Sequence, residues 1–209
     1  DYFKKLSDYG RAENAVLLES ADIVTKYGEK SIGSADPCLK VKGSGEKFEI
    51  IALNKTGDKF LKFLFPKLKF ANKLEKKNGK ITGIVKKNMK IVSEEERIKM
   101  KTHADVLRQI AFALRPVYKP FTLYAGLIGA ISYDFIDQFE ELPKNKNDLL
   151  GEPDFEMNFY DNLFSVDHKK KTITFVCNAM IFDKKDIENE KNRCIAKIES
   201  YENALSQKM

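Results

Sequence analysis

Apolar residues fall along the chain in short runs of two different periods, and these runs predict a mixture of strands and helices. Ala15-Val16-Leu17-Leu18 has polar flanks and is too short for a helix, so it reads as a buried strand. Residues 47–53 partly alternate and stop at Asn54 and Gly57, which predicts another strand. Gly43-Ser44-Gly45 just before it reads as a tight turn between two strand-like runs. After Asp58, the spacing of Phe60, Leu61 and Leu64 is helical until Pro66 interrupts it. Residues 81–85, between Gly79 and a Lys86-Lys87-Asn88 turn, form a further short strand. Thr102-His103-Ala104-Asp105 has the form of a capping box: the Thr102 hydroxyl can accept the Asp105 amide, and Asp105 suits the positive end of the helix dipole. Ala104, Leu107, Ala111 and Leu114 then predict one apolar face, which Pro116 ends, with His103 exposed in the first turn.

The second half carries clearer signals. Residues 123–133 form an apolar run containing Gly126, Gly129 and Ala130, which predicts a buried central strand approached closely by a neighbouring layer. Residues 162–167 and 172–177 read as two strands of a hairpin joined through His168-Lys169-Lys170-Lys171. Asp183 and Asp186 open a last helix, with Ile187, Cys194, Ile198, Tyr201 and Leu205 as its apolar stripe. Strands and helices alternate without a βαβ rhythm or an internal repeat. The expected class is therefore α+β, an antiparallel or mixed sheet packed with helices.

Composition narrows the picture. The chain has 209 residues, 43% hydrophobic, with 15 Phe and 8 Tyr, too apolar for intrinsic disorder. One large domain or two small ones are possible at this length. The longest charge-free stretch, residues 120–133, is shorter than the roughly 18 to 20 residues of a membrane helix, so no membrane span is expected. The chain starts Asp1-Tyr2-Phe3-Lys4 without a leader pattern, which implies no signal peptide and suggests the edge of an ordered or excised region. Cys38, Cys177 and Cys194 are widely spaced and lack a Cys-x-x-Cys pair, so they read as reduced thiols of a cytosolic protein. His103 and His168 have no neighbouring ligand at metal spacing. Phosphate-loop, dinucleotide and nucleophile-elbow patterns are absent.

The net charge of +6 is uneven. Residues 55–101 hold 14 Lys and one Arg against five acids, interleaved with Phe60, Phe63, Phe65 and Phe70. Such a stretch has the composition of a single-strand nucleic-acid binder. Against that, the chain has 32 Lys to 5 Arg, and no RNA-binding signature accompanies the run. The reading carried forward is a solvated lysine surface with phenylalanines turned inward, and no nucleic-acid partner. Tyr133-Asp134 reads as structural, with Asp134 capping the following turn, Tyr133 packing, and Phe139-Glu140-Glu141-Leu142-Pro143 setting the exit. His168 reads as a hairpin-turn residue rather than a general base.

Three collinear stretches carry a family resemblance. They are Leu17-Leu18-Glu19-Ser20-Ala21-Asp22-Ile23 running on to Lys30-Ser31; Gly129-Ala130-Ile131-Ser132-Tyr133-Asp134-Phe135 with Phe139-Glu140-Glu141-Leu142-Pro143; and Pro153-Asp154-Phe155 followed by residues 162–167 and His168-Lys169-Lys170. In this order they resemble the N-terminal region of anthranilate synthase component I, the large chorismate-binding subunit. Residues 55–101 carry little of the likeness. The resemblance implies a lyase that converts chorismate and ammonia to anthranilate and pyruvate with Mg²⁺, in the cytoplasm, during tryptophan biosynthesis. It also implies a glutamine amidotransferase partner, component II, as the ammonia source. The family's chorismate and Mg²⁺ residues lie in a C-terminal part beyond Met209, so no catalytic residue is expected in residues 1–209, which alone would be inactive. These residues would instead form the regulatory, tryptophan-binding domain.

In the resemblance, Leu18, Glu19 and Ser20 form part of the feedback-inhibitor pocket, and Lys30 matches a position near it. The chemistry suits an amino acid: Leu18 lines an apolar slot for the indole, Glu19 accepts from a ligand N–H, Ser20 bonds the amino-acid head, and Lys30 faces the carboxylate. In an extended strand Glu19 and Ser20 point to opposite faces, so either one acts through its backbone or the strand breaks there. Without the resemblance, Glu19-Ser20 is an ordinary strand end entering a turn. Aminodeoxychorismate synthase component I, with a related tryptophan pocket, is the alternative within the class, and a basic nucleic-acid-binding module is the alternative outside it.

Overall fold

The computed structural model describes residues 2–19, 29–86, 93–119, 123–140 and 150–206. The elements in chain order are α1 (Tyr2–Leu6), β1 (Val16–Leu18), β2 (Lys30–Ser34), β3 (Leu39–Ser44), β4 (Lys47–Ala52), α2 (Lys55–Leu64), β5 (Asn72–Lys77), β6 (Lys80–Ile84), α3 (Glu94–Lys99), α4 (His103–Ala111), β7 (Gly126–Ile131), β8 (Phe155–Tyr160), β9 (Asn162–Asp167), β10 (Thr172–Cys177) and α5 (Ile187–Ser206). Antiparallel sheets with helices give the expected α+β class. The chain divides into two compact units, one made of Asp1–Cys38, Pro116–Ile128 and Phe159–Met209, the other of Leu39–Arg115 and Gly129–Asn158.

The first unit is built on a four-stranded antiparallel sheet in the order β1-β2-β9-β10. The β9–β10 hairpin has the boundaries that its period-two pattern predicts, with Asn162 opposite Cys177 and Asp167 opposite Thr172. Gly33 lies opposite Phe164, whose ring occupies the space of a side chain there: a Cβ on Gly33 would stand 2.6 Å from Phe164 Cζ. Tyr2 of α1 meets Phe164 edge-on at 5.0 Å, and Tyr201 of α5 stacks on Phe175 at 5.4 Å. Both helices therefore cover one face of this sheet. Asp183 caps the entry to α5 by accepting from the Lys185 amide at 3.0 Å. The predicted stripe is only half right: Cys194 and Tyr201 are buried together with Glu190, whereas Ile187 and Leu205 are about half exposed. Twenty residues of helix run about 30 Å, while six-residue strands run about 20 Å, so the helix ends overhang the sheet. The first strand is also less covered than predicted, because it lies at the sheet edge and leaves Leu18 45% exposed.

The second unit holds strands of a sheet ordered β5-β6-β4-β3-β8-β7. Strands β3, β4 and β6 turn Leu39, Val41, Phe48, Ile50 and Ile81 inward, and α2 adds Phe60, Leu61 and Leu64. Asn54 caps α2 by accepting from the Gly57 amide at 3.0 Å, so the helix starts a turn before Asp58; Pro66 enters a following 3-10 turn, Phe65–Leu68. The lysine-rich strand β5 sits at the end of the strand order with five of its six residues exposed. Charged residues there oppose pairing of the open edge with another chain, which gives the lysines a structural reason. Of the four phenylalanines, Phe60 is fully buried, while Lys67 Nζ lies 4.6 Å from the Phe63 ring centre.

The capping box at Thr102 forms as expected, with Asp105 accepting from the Thr102 amide at 2.9 Å. His103, however, is fully buried rather than exposed, and the covered face of α4 is His103, Val106 and Ile110. Its ring lies 5.5 Å from Phe155 and 6.2 Å from Phe48, and Nε2 donates to the Glu46 carbonyl at 3.2 Å. That bond satisfies Nε2 within the core, and the core face is rotated from the Ala104-Leu107-Ala111-Leu114 face. Likewise β7 is the terminal strand of its order rather than a central one, and Ile131 is 51% exposed. The 3-10 turn Tyr133–Gln138 follows Ser132 with no side-chain cap, Asp134 lies in its first turn, and Tyr133 is 79% exposed rather than packed. Lys87, Asn88 and residues 141–143 of the predicted turns lie outside the described residues.

The close approach expected at Gly129 is present. A Cβ there would stand 2.2 Å from the Glu156 carbonyl oxygen and 2.6 Å from Met157 Cα, both backbone atoms that cannot swing away. Gly129→Ala is expected to destabilise the protein by about 1–3 kcal/mol in urea denaturation followed by circular dichroism. Gly45→Ala, at φ +60° with no atom within 4 Å, is expected to cost only about 1 kcal/mol, from backbone strain.

Candidate functional site

Strand β1 pairs with β2 so that Leu18 lies opposite Ile32, Leu17 opposite Gly33 and Val16 opposite Ser34. Because side chains alternate along a strand, Lys30 shares the sheet face of Ile32 and hence of Leu18. This is the face opposite the one that carries Gly33 and Phe164. Leu18 and Lys30 are thus brought to one end and one face of the sheet, and both are exposed there. Glu19 follows the last paired residue of β1 and is exposed. Ser20 lies outside the described residues, and β1 ends at Leu18.

The start of β2 is held by the turn of the β9–β10 hairpin. Lys30 lies opposite Asp167, the His168 amide donates to the Glu29 carbonyl at 2.9 Å, and Ser31 Oγ is 2.7 Å from His168 Nε2. Ser31 is buried. His168 occupies the turn as the sequence implies, but it also anchors the residues on either side of Lys30. No local pattern could reveal that contact, because the partners are 137 residues apart and meet only through β2–β9 pairing. Asp167 accepts from the Lys170 amide at 2.8 Å, and this hydrogen bond, with the Lys170 charge beside it, holds its carboxyl below the usual range.

Chemically, this sheet end offers an exposed apolar side chain, a cation and a carboxylate, groups suited to binding a zwitterion with an apolar body. Among the described residues no group of three or more His, Cys, Asp or Glu is placed to hold a metal ion. No helix among them is long and apolar enough to cross a membrane.

No family model matches the chain. Anthranilate synthase component 1 of Buchnera aphidicola subsp. Tetraneura caerulescens is 29% identical over 196 residues, covering 92% of this chain and 36% of that protein. The protein of the same name from Buchnera aphidicola subsp. Acyrthosiphon pisum (strain APS) is 28% identical over 201 residues, covering 96% of this chain and 37% of its own length. A solved structure, anthranilate synthase component I from Streptococcus pneumoniae TIGR4, overlays with a TM-score of 0.44 at 19% identity, covering 88% of this chain and 31% of that one. The chain spans little more than a third of the length of these curated relatives. The resemblance to anthranilate synthase component I read from the sequence is borne out over most of the chain.

The lowered Asp167 carboxyl fixes a sign for acid sensitivity at this sheet end. Its contribution is present above the ordinary carboxylate pKa and is lost as pH falls through the lower folded-state value. Acid titration followed by NMR is expected to move the Lys170 amide resonance in a single step below the ordinary Asp range. Asp167→Asn should abolish the step, and a step retained in that variant would assign it to another group.

Proposed function

We propose that this chain, similar over most of its length to anthranilate synthase component 1, is the N-terminal regulatory region of such a subunit. In this reading the whole subunit, a lyase of the cytoplasm, converts chorismate and ammonia to anthranilate and pyruvate. A glutamine amidotransferase subunit delivers the ammonia, and Mg²⁺ and chorismate bind in a catalytic part outside residues 1–209. Residues 1–209 alone are inactive and carry part of the site through which L-tryptophan inhibits the enzyme. The relatives named above carry the anthranilate synthase name, which favours that product over aminodeoxychorismate.

The observation that carries the regulatory reading is the pairing of β1 with β2, since it sets Leu18 and Lys30, both exposed, on one face at one sheet end, with Glu19 beside them. There Leu18 packs against the indole, Lys30 pairs with the ligand carboxylate, and Glu19 and Ser20 bond the amino-acid head. Binding at this end regulates turnover only by favouring one of two states of the whole subunit, so the effect is a coupling free energy and not a block of chemistry.

In the full-length protein, Ser20→Ala is expected to raise the tryptophan concentration for half-inhibition about tenfold or more, as for a lost hydrogen bond to a charged group, while anthranilate formation without tryptophan persists. Lys30→Met should act in the same direction. Inhibition unchanged in both variants would remove the site from this end of the sheet.

A further inference from the structure

The sequence scatters its three cysteines, yet two of them converge on one guanidinium. Cys177 ends β10 and Cys194 lies in α5. Arg193 Nη1 is 3.6 Å from Cys177 Sγ, and Nη2 is 3.6 Å from Cys194 Sγ. The guanidinium is itself fixed on three sides: Nη1 lies 2.9 Å from Asp161 Oδ2, Nε donates to Glu190 Oε2 at 2.8 Å, and Nη2 donates to the Asn178 carbonyl at 2.9 Å. The two sulfurs thus lie against adjacent nitrogens of one cation. Cys194 is 8% exposed and Cys177 is half-buried, so the pair borders the surface without being open to large reagents.

This arrangement assembles what thiol oxidation requires: a sulfur whose thiolate form is favoured, a cation to stabilise it, and a second sulfur on the same guanidinium to resolve the product. The neighbouring Cys177, with the guanidinium, lowers the Cys194 thiol, while Cys177 is raised by Cys194 and by burial. Cys38, fully buried, is raised by burial and stays a protonated bystander.

We infer that Cys177 and Cys194 form a redox-active pair that closes to a disulfide when the protein meets a hydroperoxide. The Cys194 thiolate attacks one peroxide oxygen; the O–O bond breaks, an S–O bond forms, and the departing hydroxide takes a proton to leave as water. The Cys177 sulfur then attacks the Cys194 sulfenic acid, its proton leaves with the hydroxyl as a second water, and the S–S bond forms. Two thiols are oxidised and one hydroperoxide is reduced. The new bond joins the end of β10 to α5, fastening the helix onto the sheet that carries β1 and β2. The inference does not depend on tryptophan binding.

The test treats the full-length protein, purified reduced, with hydrogen peroxide at neutral pH and reads peptides by mass spectrometry. The expected product is a peptide pair joined through Cys177 and Cys194 and lighter by two hydrogens, released by dithiothreitol, with Cys38 still open to alkylation after unfolding. In Cys177→Ser, oxidation should stop at one added oxygen on Cys194, and Cys38→Ser should leave the cross-link intact. A cross-link through Cys38, oxygen added to separate thiols in the unmutated protein, or full retention of both thiols while free cysteine in the same tube is consumed would each overturn the inference.

Discussion

The buried carboxylate of Asp161 is the constraint around which the first unit is arranged. It is 1% exposed, placed between Tyr160 at the end of β8 and Asn162 at the start of β9, and its burial pushes its carboxyl pKa up against the opposing pull of Arg193. A charge at such a position is tolerated only with a partner, and removing one member of a buried pair typically costs about 3–5 kcal/mol. Arg193 supplies that partner from α5, so the helix is required to lie on the sheet at this point. Neighbouring polar groups complete the arrangement. The Asn178 side chain donates to the carbonyls of Asp161 and Tyr124, both at 2.9 Å, and Asn162 donates to the Asp36 carbonyl at 2.8 Å while accepting from the Tyr201 hydroxyl. A satisfied polar network of this kind selects one packing of the helix, whereas an apolar contact would accept several.

Placement of the candidate site follows from that packing. The faces of Phe164 and Phe175 are closed by Tyr2 and Tyr201, which fixes the β9–β10 hairpin, and the hairpin in turn fixes β2 through the register from Lys30 opposite Asp167 to Gly33 opposite Phe164. A slip of one residue would send Lys30 and Ile32 to the helix-covered face and bring Ser31 and Gly33 to the other one. Phe164 prevents the slip, because only glycine leaves room for its ring. Leu18 is then carried by β1, the edge strand, to the same face as Lys30. Leu18, Glu19 and Lys30 are exposed at the rim, and the residues that hold them are buried or paired.

Local signals made much of this legible in the sequence. The β9–β10 hairpin and the Thr102–Asp105 capping box depend on residues close in the chain, and both form as their patterns require. The failures share a different cause. His103 was expected outside in the first turn of its helix, but its ring donates to a carbonyl 57 residues away, which lets it enter the core and rotates the helix with it. Gly129 correctly signalled a close backbone approach, whereas Gly126 has no atom within 4 Å of a Cβ position, and strand order, which decides centre from edge, has no local signature. The same limit applies to the site. Leu18, Glu19, Ser20 and Lys30 were found through family resemblance, while the Ser31–His168 contact and the convergence of Cys177 and Cys194 on Arg193 needed the fold.

Amide hydrogen exchange of the full-length protein, compared with and without L-tryptophan, tests the central claim most directly. The account predicts that tryptophan slows exchange across residues 16–19 and 29–33 and in the supporting turn 167–171. Unchanged exchange in these segments, with tryptophan bound and protection elsewhere, would contradict it.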